Sequence, residues 1–113
     1  MYLFYGVMLF TFGHIFGWYA SNLQFTSDWW AARPILSVVT FGFPAGICFL
    51  FGNRFCMLAL PELWTARFLA AVVSYSVFPA MTWYYLGESP FTLKTMLCVA
   101  LAFSILLVQI FVD

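Results

Sequence analysis

Arg33-Pro34-Ile35-Leu36-Ser37-Val38-Val39-Thr40-Phe41-Gly42-Phe43-Pro44-Ala45-Gly46-Ile47-Cys48-Phe49-Leu50-Phe51-Gly52-Asn53-Arg54 holds twenty residues without a charge between two arginines. A helix crosses a hydrocarbon core of roughly 30 Å with about 20 mostly apolar residues. The pattern repeats on both sides of this stretch. Charges at Asp28, Arg33, Arg54, Glu62, Arg67, Glu88, Lys94 and Asp113 bound charge-free runs at 1–27, 34–53, 68–87 and 95–112, of 27, 20, 20 and 18 residues. The spacing predicts an all-α membrane protein: a four-transmembrane-helix bundle forming a single integral membrane domain over 1–113.

Composition excludes most other classes. With 65% hydrophobic residues, 7% charged and a mean hydropathy of +1.01, the chain has too few polar groups to cover the surface of a soluble domain. Met1-Tyr2-Leu3-Phe4-Tyr5 offers neither a basic n-region nor a small-residue cleavage site, so the first block is expected to stay as a membrane helix. Net charge is zero and no basic run occurs, so a nucleic-acid partner has no support. Cys48, Cys56 and Cys98 are an odd number without a CxxC, and read as small packing residues. No metal site, cofactor or catalytic residue is expected. No carboxylate lies at the depth of His14, so no Ser–His–Asp set can form and an enzyme is not expected.

The five prolines sort into two groups. Pro34, Pro61 and Pro90 each stand at the start of an apolar run, where a missing N–H goes unnoticed by the helix. Ser89 is a candidate N-cap, and Glu62 places an acid in a first turn, where the helix dipole favours it. Helices are therefore expected at about 2–21, 34–52, 61–86 and 90–112. Pro44 and Pro79 fall inside the second and third of these, as kinks that serve either packing or a hinge.

Aromatic residues mark the expected interfaces. Trp18, Trp29, Trp30 and Trp83 fall toward one side, and Trp64, Tyr2 and Tyr5 toward the other, where rings meet both lipid and water. Ser21–Arg33 reads as a short stretch lying in the interface. Arg33 and Lys94 belong to one side and Arg54 and Arg67 to the other, so the positive-inside rule finds no difference to act on. Either another feature sets orientation, or the chain inserts both ways and pairs with an inverted copy. Gly13-xxx-Gly17 and Gly42-xxx-Gly46 are candidate helix-packing grooves, with Ala70-xxx-Ser74 and Ala100-xxx-Ser104 as weaker ones.

His14 is the one ionisable side chain inside an apolar block. An embedded ionisable group is costly unless it is neutral or paired, so it marks either an interhelical hydrogen bond or a proton-relay or substrate-binding role. Trp18 and Tyr75 are the candidate companions of His14 in a binding pocket.

Val77-Phe78-Pro79-Ala80-Met81 through Tyr85-Leu86-Gly87-Glu88-Ser89-Pro90, followed by a last apolar helix, resembles the ending of drug/metabolite transporter superfamily proteins. There a penultimate helix closes in a Gly-Glu turn before the final span. Trp18-Tyr19, Asn53-Arg54 and Leu60-Pro61-Glu62-Leu63 look like the small four-helix members, above all an uncharacterised bacterial group. The resemblance implies a small transporter in a bacterial-type cytoplasmic (inner) membrane. Small multidrug resistance transporters share this size and helix count, and work as antiparallel dimers exchanging protons for cations. This chain departs from them by lacking the embedded carboxylates on which that exchange relies. Histidine at position 14 would repel a cation on protonation. Two readings stand: a transporter-like homodimer moving a small organic solute through the bilayer, or a non-transporting subunit or scaffold packed against other membrane proteins.

Overall fold

The computed structural model describes residues 1–112 of the chain, and no strand occurs among them. Helix α1 spans Tyr2–Asn22 and tightens into a 3-10 turn at Leu23–Phe25. A short helix α2, Asp28–Ala31, is capped by Ser27, whose Oγ accepts from the Trp30 amide at 3.4 Å. Helices α3 (Pro34–Ala59), α4 (Leu63–Leu86) and α5 (Leu93–Phe111) follow. Four of the five, all but α2, are long and apolar enough to cross a membrane. The protein is thus an all-helical, multi-pass integral membrane protein. Its longest dimension is 49 Å, a little more than the ~40–45 Å of a bilayer with its headgroups.

Helix ends differ from expectation where local chemistry outweighs charge. The second span runs to Ala59 instead of stopping near position 52, because neither Asn53 nor Arg54 breaks a helix. It stops where Pro61 forces the residue before it out of helical backbone, with Leu60 extended at ψ 145°. Pro61 consequently lies outside α4, not at its first position, and extended Glu62 precedes Leu63. The last helix begins at Leu93, not at Pro90. Thr92 is its cap, its Oγ1 accepting from the Thr95 amide at 3.3 Å. The Ser89 hydroxyl instead accepts from the Phe91 amide at 3.2 Å within the turn. Pro34 does open its helix, as the sequence suggested.

The two interior prolines behave differently. Just ahead of Pro44, α3 widens into one π-helical turn over Val38–Gly42. Pro44 has no N–H for the Thr40 carbonyl and its ring presses on that carbonyl, so the widened turn makes room. Pro79 sits within α4, which continues through it to Leu86.

The core is a seam between α1 and α3, closed on a third side by α4. Phe10 is fully buried at its centre, with Cys56, Ala66 and Val73 around it. Glycines set how closely the helices approach. Gly6 lies against Cys56 and the Gly52 carbonyl, a Cβ at Gly52 would stand 2.8 Å from the Phe10 ring, and one at Gly13 would stand 3.0 Å from Phe49. Such close approach yields dispersion contacts that lipid tails cannot match. Helix α5 is outside this seam. It packs chiefly on α4, and Ala102 is its single buried residue among those described. Near its end Gln109 donates to Glu62 and to Thr65, each at 3.3 Å.

Candidate functional site

One face of α4 lines a long cleft. Leu63, Trp64, Arg67, Ala70, Ala71, Ser74, Tyr75 and Phe78 recur at three- and four-residue steps, which places them along one stripe of the helix. The small side chains at 70, 71 and 74 leave space that bulkier residues would fill. Ala66 and Val73, on the neighbouring stripe, are buried in the seam. Opposite stand Phe10 and His14 of α1 and Phe49 and Asn53 of α3. Together they enclose a cleft of about 1040 Å³. From Leu63 to Phe78 it follows α4 for about 22 Å at the 1.5 Å rise of an α-helix.

The cleft is graded along its length. Asn53, Trp64 and Arg67 lie at the end nearest the turn joining α3 and α4. His14 is half-buried in the middle, its Nε2 2.8 Å from the Ala70 carbonyl oxygen. That oxygen only accepts, so Nε2 carries the hydrogen and donates, leaving Nδ1 free to accept a hydrogen bond or a proton. The imidazole also stands edge-on to Phe49, with ring centres 4.8 Å apart. Beyond it the wall runs to Tyr75 and Phe78. No carboxylate is among the described lining residues.

Of the residues singled out in the sequence, His14 and Tyr75 share this cleft. Trp18 does not line it. Its side chain is 3% exposed, its Nε1 donates to Thr82 Oγ1 at 3.0 Å, and its indole stacks on Tyr85 at 5.0 Å. The hydroxyls of Tyr19 and Tyr85 meet at 2.7 Å beside it. Trp18 therefore clamps α1 to α4. Neither Pro44 nor Pro79 lines the cleft. Gly13 packs in the seam. A Cβ at Gly17 or Gly46 would meet nothing within 4 Å, and one at Gly42 would meet only Val38 of its own helix, at 3.5 Å.

Asn53, Trp64 and Arg67 belong to the cleft, but in the sequence Trp64 and Arg67 read only as interface and topology markers and Asn53 only as part of the Asn53-Arg54 pair. The step from Arg67 through Ala70, Ala71 and Ser74 to Phe78 was the signal that could have joined them. A second groove, of about 400 Å³, lies between α1 and α4 and is almost wholly apolar. Its two hydroxyls, Thr11 and Ser76, donate to carbonyls of their own helices, at 2.8 and 3.3 Å, and so offer little to a polar ligand. Among the described residues no group of three or more His, Cys, Asp or Glu side chains comes together to hold a metal ion. No protein-family model matches the chain, and neither a curated protein nor a solved structure matches it.

Proposed function

We propose that the chain is a small solute transporter of the drug/metabolite type, working as a homodimer, with the cleft between α1, α3 and α4 as its solute site. The observation that carries this reading is the cleft itself. It is large enough for a drug-sized molecule, lined mostly by apolar and aromatic groups, and has a few polar side chains to orient a ligand. His14 sits at its middle with one nitrogen uncommitted, which suits a group that responds to solute or proton.

The test is transport by the purified protein in proteoliposomes, read as uptake of a panel of labelled small organic solutes under a proton gradient. His14→Ala should abolish proton-linked uptake while leaving the oligomer's mass unchanged. It should also lose about 0.6–2 kcal/mol of stability with the bond to Ala70. Lost stability with transport intact would reduce His14 to a packing residue, and no uptake of any solute would remove the transport reading.

The bareness of α5 favours a second reading, that of a membrane subunit or scaffold. A span that packs chiefly on one neighbour has most of its circumference available to another protein. Isolation of a stable hetero-assembly from native membranes, with no homodimer, would favour it.

A further inference from the structure

We propose that the cleft takes amphipathic organic anions, with the anionic head at Arg67 and Asn53 and the apolar body laid along Phe49 and Phe78. This rests on the reading of the cleft as a solute site and names what that site selects.

The charge pattern carries the argument. Arg67 is the one side chain among the described lining residues with a permanent charge, and it is positive. A guanidinium has five donors and no acceptor, and its fork matches a carboxylate or phosphate with two parallel bonds. Asn53 and Trp64, at the same end, add an amide and an indole N–H. His14, farther in, is neutral or cationic and never an anion. Glu62, the acid nearest Arg67 in sequence, accepts from Gln109 of α5, a helix that does not reach the cleft. A cation entering would shed water without meeting an opposite charge, a cost that binding would not repay. An anion would exchange its water for donors already in place.

The order of the lining supplies the second half. Asn53, Trp64 and Arg67 gather near the turn between α3 and α4, while Phe49 and Phe78 supply apolar surface farther along, with the Ser74 and Tyr75 hydroxyls beside Phe78. A molecule with a charged end and an apolar body matches that order, and a uniformly polar ion such as free phosphate does not. The same chemistry reaches the site from two sources, an organic acid dissolved in water or an anionic lipid of the bilayer.

The experiment uses the full chain in phosphatidylcholine nanodiscs and three probes of one shape: 3-phenylpropionate, 3-phenylpropionamide and 3-phenylpropylamine. Equilibrium dialysis of labelled 3-phenylpropionate, competed by each, should rank the acid about tenfold or more ahead of the amine. Arg67→Gln should erase that ranking, Arg67→Lys should keep part of it, and Arg54→Gln, outside the cleft, should leave it unchanged. Because the ranking is read first on the unmodified protein, a variant that fails to fold does not hide the answer. An amine that binds as well as the acid, or a ranking that survives Arg67→Gln, overturns the proposal. Repeating the dialysis with phosphatidylglycerol in the disc separates the sources. Competition by the lipid assigns the site to a bilayer anion, and its absence to a soluble acid, the anionic class standing in both. Selective acid binding without uptake leaves this proposal in place and removes only the transport reading, whereas no binding of any probe removes the solute site itself.

Discussion

A Cβ at position 52 would stand 2.8 Å from the Phe10 ring, while a Cβ at position 46, on the same helix, would meet nothing within 4 Å. Substitution at the two glycines should therefore diverge sharply. Gly52→Ala is expected to cost about 1–3 kcal/mol through overpacking of the seam. Gly46→Ala and Gly17→Ala should cost nothing and gain slightly from helix propensity. Thermal unfolding in detergent measures the difference, and equal losses at positions 46 and 52 would contradict the seam. Gly6→Ala should also destabilise, and Cys56→Ala in the same chain should recover part of the loss, because the Cys56 sulfur is what a Cβ at position 6 would strike. Gly13 was legible in the sequence because another glycine follows four residues later. Gly6 and Gly52 were not, since each has its partner on the other helix and one-dimensional spacing shows only neighbours within a helix. Trp18 shows the same limit: its place near a helix end suggests a headgroup contact, and nothing in its spacing announces that α4 passes there and supplies Thr82 as a partner.

Among the elements, α4 has the most defined ending. Gly87 is the only described residue with positive φ, 72°, and its amide donates to the Trp83 carbonyl at 3.0 Å to close the helix. Left-handed backbone is disfavoured for side chains bearing a Cβ, so Gly87→Ala should lose about 1–2 kcal/mol. Gly87→Asn should lose less, because asparagine tolerates this conformation. Denaturation midpoints of the two variants test the order, and an alanine variant as stable as the unaltered chain would contradict the left-handed cap. The number, order and membrane character of the spans were all readable from charge spacing. The ends were readable only where a residue acts on its own backbone, as at Pro34. At Asn53-Arg54 polarity looked like a boundary, yet helical hydrogen bonds continue through polar residues until a proline stops them. The turn at Val38–Gly42 was hidden as well, since Pro44 announces a disturbance without saying whether it becomes a bend or a widened turn.

At the scale of the molecule, Arg54 and Arg67 fall within helices but still lie at the opposite end from Arg33 and Lys94, so the basic residues balance two against two. Reporters fused to the C-terminus are expected to appear on both sides of the membrane. Two lysines added within residues 22–33 should drive them to one side, because orientation follows the difference in Lys and Arg. An unaltered chain found wholly on one side would withdraw the case for an antiparallel pair. The cleft was half legible: His14 stood out as the lone ionisable group in a span, whereas Arg67 and Asn53 read as boundary residues until three helices brought them to one cleft. The position of α5 also bears on how the protein is made. Spans leave the ribosome in chain order, and once Leu86 has emerged, every residue of the glycine seam and of the cleft has been synthesised. A closed three-helix unit can therefore form before the fourth span has left the ribosome, in the way early segments of longer chains fold during synthesis. Helix α5 then joins an assembly that does not wait for it, as a late strut along α4.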